Sequence, residues 1–301
     1  MVVGHWLILM NPDLLQKIKA PAGAWLPGIR TLLKLTGEDR VRFLNGQVTQ
    51  DLKKLPPGQA VRSAVITARG KLEADCRIGA TADALWIETD ASLRNSLRSR
   101  LEKFVVADDV TVEDVSDSFR LAHFLGLATP PAEASRDCLA FVSARFREPG
   151  LDLWLPSSFP WKPPASPLAD WEPFRIAHGL PLWGIDVGPD TLPPEAGFES
   201  DAISSTKGCY IGQEVISRLR SVGHVNRHLC ILGSRLPPSI GPKISLPTSC
   251  ASEEGKVIGS LTSLTSSEGT ALALGMIQRT HATPGNSVLA GNATWTILRH
   301  A

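Results

Sequence analysis

The sequence predicts an α+β fold that closes on a small C-terminal β-barrel, on three observations. Through the first half, strand-like runs such as Val61 to Thr67 and Leu72 to Ile78 alternate with stretches of helical spacing, the order expected when helices lie against an antiparallel sheet. Six prolines crowd between Pro156 and Pro173, a density that breaks helix and central strand alike and marks a connecting segment. After His224 the chain turns to short β-like runs at about 224–233, 256–264, 270–278 and 293–299, separated by proline, glycine and serine. The chain is thereby divided into an N-terminal extension (1–29), an α+β portion (30–155), a second portion (156–222) and the barrel (223–301).

The elements follow in order. Ile29 to Leu35 reads as a strand, and Thr36-Gly37-Glu38-Asp39 starts a helix with acidic residues in its first turn, where the helix dipole favours them. Ala68-Arg69-Gly70-Lys71 joins the next two strands as a hairpin with glycine in the turn. Ala84 to Thr89 is a further strand, after which Asp90 caps a helix expected to bury a stripe of Leu93, Leu97, Leu101 and Phe104. Its Arg94, Arg98, Arg100 and Lys103 read as the solvated face. Strands are expected at about 110–115 and 119–126.

Composition bounds the function. The 301 residues are 43% hydrophobic and 20% charged, the profile of an ordinary globular protein with cores to fill. A formal net charge of +1 gives no global basic field, so neither nucleic acid nor a membrane surface is an expected partner. Five widely spaced cysteines without a Cys-x-x-Cys pair argue against a disulfide framework, a zinc ribbon or a resident iron-sulfur cluster, and fit a reducing cytoplasm. Met1 to Met10 is apolar but lacks a basic flank and a cleavage site, and no run reaches the roughly 18 apolar residues that span a bilayer. A cytoplasmic monomer without a metal site is expected.

The most informative stretch is Lys207-Gly208-Cys209-Tyr210-Ile211-Gly212-Gln213-Glu214, a thiol, a lysine and a carboxylate around two glycines. The residues from Gln213 to Leu219 read as helical, with Val215 and Leu219 on one face. A thiol at that helix N-terminus beside Lys207 would sit in a positive field that favours thiolate. An isolated cysteine is otherwise a small buried hydrophobe, so both readings of Cys209 stand on local chemistry alone.

The octapeptide, followed by Arg218-Leu219-Arg220 and by Gly223-His224-Val225-Asn226-Arg227-His228-Leu229, resembles the signature of the YgfZ-type folate-binding proteins, relatives of the glycine-cleavage T-protein. Gly37 to Arg40, Phe43 to Leu52, Arg175 to Pro181 and Pro194-Glu195 are similar to further parts of that family. The resemblance implies aminomethyltransferase-like α/β portions around a central channel, with tetrahydrofolate or a derivative as ligand. It implies a role in assembling or repairing iron-sulfur clusters, with iron-sulfur proteins or cluster carriers as partners, and leaves open a folate-dependent one-carbon or transferase activity.

On that resemblance Cys209, Lys207 and Asp75 are the candidate reactive groups, Asp75 falling where the T-protein hairpin turns an aspartate to the folate. Arg175, Trp183, Glu195, Tyr210, Gln213 and Glu214 are candidate folate contacts, and Arg218 and Arg220 offer forked hydrogen bonds to a folate glutamate tail. On residue type alone, Asp75 reads equally as a solvated strand-edge aspartate, Trp183 as core, and Arg218 and Arg220 as a solvated helix end. Ala177 stands where the T-protein pattern has a glutamate. An alanine accepts no hydrogen bond, which counts against aminomethyl transfer. A non-catalytic folate-binding scaffold is the remaining alternative.

Overall fold

Period-two alternation builds a first sheet with two unlike faces. In the computed structural model, which describes Leu15 and residues 18–134, 137–235, 245–267 and 269–301, five strands pair entirely antiparallel in the order β2-β3-β4-β1-β5. They are β1 (Arg30–Thr36), β2 (Ala60–Ile66), β3 (Leu72–Ala80), β4 (Leu85–Asp90) and β5 (Thr111–Asp114). Ala74, Cys76 and Ile78 of β3 pack on α1 (Arg40–Gln47) and α2 (Arg94–Glu102) through Phe43, Leu44, Leu97 and Leu101. Asp75 and Arg77 therefore project from the opposite face. Met1 to Met10 lies outside the described residues.

That opposite face meets a second antiparallel sheet, β6 (Phe119–Leu125), β7 (Leu139–Val142) and β8 (Gly150–Pro156), in the order β6-β8-β7. Leu32 and Trp86 join Leu121, Phe141 and Trp154 in one apolar cluster. Gly79 is required there, since a Cβ would lie 2.9 Å from the Phe141 ring. So the contact is apolar at one end, and the charged side chains of β2, β3 and β4 collect at the other.

Two further helices, α3 (Leu168–Ala177) and α4 (Gln213–Ser221), lead to a closed six-stranded barrel. Its strands are β9 (Arg227–Arg235), β10 (Thr248–Ala251), β11 (Val257–Ser267), β12 (Thr270–Gln278), β13 (Ser287–Ala290) and β14 (Ala293–His300). The barrel core is organised around Trp295.

Several sequence expectations need correction. α3 runs into the proline-rich stretch, beginning directly after Pro167 and containing Pro173. Pro173 forfeits one backbone hydrogen bond, and the burial of Trp171, Phe174 and Ile176 outweighs that loss. Asp90 caps a single 3-10 turn by accepting from the Ser92 amide at 3.0 Å, and α2 begins at Arg94. α2 ends at Glu102, so Phe104 leaves the buried stripe; it is 38% exposed and carries the Arg100 guanidinium over its ring. β7, β8, β10 and β13 were not expected, three of them being only four residues long.

Candidate functional site

The charged end of the first sheet is built from arginine-carboxylate pairs. Arg62 on β2 grips Asp75 on β3 through both oxygens, Nε to Oδ1 at 3.0 Å and Nη2 to Oδ2 at 2.7 Å. Its third nitrogen reaches Asp201, and its guanidinium lies 4.0 Å from the Phe198 ring centre. Glu88 on β4 accepts from Arg30 at 2.6 Å and from Arg145 at 2.9 Å. Burial opposes its charge, but Arg145 and Arg30 outweigh that and hold its pKa down at about 2. Arg145 also grips Asp152, to which the fully buried His123 donates from Nδ1 at 2.8 Å. Asp152 is ionised and can only accept, so the shared proton lies on His123 Nδ1, and burial lowers the His123 pKa.

Between this face and the region after α3 lies a cavity of about 110 Å³, walled by Asp75, Arg77 and Glu88, by Arg145 and Phe146, and by Arg175 and Trp183. Arg175 is the keystone of the third wall. It donates to Asp186 at 3.0 Å, to the Leu180 carbonyl at 2.7 Å, to Glu172 at 2.7 Å and to Ser263 of β11 at 2.8 Å. Asp186, its side chain wholly buried, accepts in addition from the Leu182 amide, Thr262 and Ser263. The pair thus fastens α3 to the barrel and places the Leu180–Trp183 turn at the cavity.

The Lys207 to Glu214 signature docks elsewhere, across the C-terminal end of α1. Lys207 Nζ donates to the carbonyls of Asn45, Val48 and Gln50 at 2.7, 2.6 and 2.8 Å. Burial draws its pKa down to about 8, while three convergent acceptors hold the proton in place. Neighbouring bonds run from Ser204 N to Thr49 O, Thr49 Oγ1 to Ala202 O and Ile211 N to Gly46 O. Gly212, with φ of +81°, precedes α4 and crosses the hairpin so closely that a Cβ would lie 2.4 Å from Thr67 O. Cys209 is exposed on this docked loop. It lies four residues ahead of α4, not at the helix N-terminus, and the Lys207 ammonium is committed to carbonyls.

The cavity thus brings together Asp75, Arg175 and Trp183, and Cys209, Lys207 and Tyr210 form a second cluster. Tyr210 is buried, which raises its pKa, and its amide donates to Gln213 at 3.4 Å. Glu195 is buried in a 3.1 Å pair with Arg227. Glu214 and Arg218 form an exposed pair on α4, and Arg220 lines a separate surface hollow with His224 and His228. None of Glu195, Glu214, Arg218 and Arg220 lines the cavity.

No protein-family model matches the chain. The tRNA-modifying protein YgfZ of Yersinia enterocolitica is 30% identical to it, over 70% of this chain and 71% of the relative. The chain belongs to the YgfZ family. The YgfZ of Yersinia pestis is 27% identical over 68% of this chain and 70% of its own. Among solved structures, the glycine cleavage system aminomethyltransferase T from Bartonella henselae superposes with a TM-score of 0.71, covering 89% of this chain and 82% of that one at 20% identity. This YgfZ-family chain therefore has the T-protein fold.

Sequence reading missed Arg62, Arg77, Arg145 and Asp186. The first two carried a legible signal, a lone charge in the apolar β2 and charges at alternate positions of β3, which need partners or a ligand. Arg145 and Asp186 sit in irregular segments with no periodicity to read. Among the described residues no group of three or more His, Cys, Asp or Glu is placed to hold a metal, and no helix is long and apolar enough to cross a membrane.

Proposed function

We propose that this YgfZ-family protein binds tetrahydrofolate or a derivative in the central cavity and assists the assembly or repair of iron-sulfur clusters, with Cys209 as its working thiol. The observation that carries the reading is the polar cavity between the first sheet and the α3–barrel unit, in a chain with the T-protein fold. Its lining suits a reduced folate: the Trp183 indole offers a face for stacking the pterin, and guanidinium groups that face the cavity donate. When bound, the folate would supply one-carbon chemistry; the chain's own residues bind and orient it. Ala177 is buried at 2% exposure in an apolar cluster and contributes no carboxylate, so aminomethyl transfer has no support at that position.

Cys209 is exposed on a loop held firmly at both ends, a setting suited to meeting a partner protein. The YgfZ relatives bear the name tRNA-modifying protein. With a net charge of only +1, this chain would serve such a process through an iron-sulfur protein client, not by holding tRNA. Two measurements test the proposal. Calorimetry should show tetrahydrofolate binding that Trp183→Ala weakens, and Cys209→Ser should fail to restore an iron-sulfur enzyme in cells lacking the protein. Absence of heat with every folate removes the ligand; full restoration by the serine variant removes the thiol.

A further inference from the structure

Every carboxylate facing the cavity is claimed by an arginine, and one arginine is left over. Arg77 lies on β3 two residues from Asp75, on the same face, opposite Arg62 of β2 and Glu88 of β4 in register. Asp75 is taken by Arg62, Glu88 by Arg30 and Arg145, and Asp90 by Arg30. Among the described residues Arg77 has no ion pair, and its side chain makes one hydrogen bond, Nη2 to the Arg145 carbonyl at 2.7 Å. A guanidinium carries five donors, so most of its capacity faces the cavity unused. Burial, and next the charge of Arg145, pull its pKa down to about 10, the mark of a cation lacking a counter-charge.

We propose that Arg77 is the anion-recognition residue of the central cavity, where a ligand carboxylate docks on its guanidinium in forked geometry. The sequence turned attention to Asp75 as the group awaiting a ligand, but that carboxylate is already paired on both oxygens. The unmet charge on the wall is positive. The inference rests on the folate reading for the source of the anion, the tail carboxylates, and its test keeps the two apart.

Calorimetry on the full chain, with Arg77→Met and Arg77→Lys beside the wild type, uses three probes: 5-formyltetrahydrofolate, 6-methyltetrahydropterin, which has the ring system without a carboxylate, and glutarate. The wild type should bind the folate at least about tenfold more tightly than the pterin, and Arg77→Met should erase that difference. Arg77→Lys should recover only part of it, because an ammonium does not reproduce the fork. The ligand-free Arg77→Met protein should melt no lower than the wild type, since it loses a half-buried cation that has no counter-charge. Equal folate affinity in wild type and Arg77→Met overturns the inference and leaves the folate reading standing. Glutarate bound by the wild type alone, with neither folate nor pterin bound, removes the folate reading and supports Arg77. No binding of any probe removes both.

Discussion

Lys207 Nζ lies 2.7 Å from the carbonyl oxygen of Asn45, 162 residues away in the chain. α1 ends at Gln47, so Lys207 satisfies carbonyls around a helix terminus that the helix itself leaves open, and Val48 and Gln50 complete its three donors. Two stretches that resemble the family separately, Phe43 to Leu52 and Lys207 to Glu214, are thereby one structural unit. Lys207 positions the loop that carries Cys209 and is turned toward carbonyls.

Lys207→Met should consequently act on folding. Removing the ammonium leaves three acceptors with poor access to water, at a cost of about 2–4 kcal/mol. Lys207→Arg should not restore stability fully, because a planar fork matches three convergent carbonyls poorly. Urea denaturation of the two variants measures this. Wild-type stability in Lys207→Met, accompanied by slower alkylation of Cys209, would give the lysine back its role as a thiol activator.

Alkylation of the native protein should select Cys209 first. Cys76, Cys230 and Cys250 are buried, and burial pushes the last two thiols up to about 12 and about 11. Cys138 is partly buried. Mass-spectrometric mapping after brief iodoacetamide treatment at neutral pH should find label on Cys209 well before the other four, with the buried three labelling only on unfolding. Early label at Cys230 or Cys250 would contradict the closed barrel core.

How much of this was legible follows residue by residue. Alternation in Leu72 to Ile78 exposed the second strand of the hairpin, because one face of β3 is buried on helices and period two survives there, whereas β2 is buried without alternation from Arg62 to Ile66. β8, whose Leu151 to Leu155 are buried on both faces, shows no alternation and so no periodic signal. The octapeptide pointed to Cys209 and Lys207, but its local sequence holds no trace of Asn45, the partner that fixes the lysine. Asp75 was visible as a candidate; Arg62, which neutralises it, needed the strand register.

Asp186 should prove indispensable to the cavity's third wall. It is the buried counter-charge of Arg175 and accepts from four groups across α3, the Leu180–Trp183 turn and β11. Asp186→Ala leaves that guanidinium with only the half-exposed Glu172 as anion, and should cost about 3–5 kcal/mol. Asp186→Asn, which keeps the shape and one acceptor, should cost less. Equal melting temperatures for wild type and both variants would show that Arg175 does not fasten α3 to the barrel.

Acid should unfasten the two sheets from one another. Glu88 and Asp152 share Arg145, and although burial opposes their charge, the arginines hold both pKa values well below those of free carboxyls, Glu88 at about 2 against an ordinary 4.5. A carboxyl with a depressed folded-state pKa contributes stability that is fully present above its unfolded pKa and is lost as pH falls toward the folded one. The loss attributable to Glu88 therefore falls between about pH 4.5 and pH 2. Glu88→Gln removes this linkage while keeping the side chain's size. Urea midpoints should favour the wild type strongly at pH 7, and the gap should close progressively below pH 4.5. A gap that stays constant down to pH 2 would mean that Arg145 and Arg30 do not hold the Glu88 charge, and that packing alone joins the sheets.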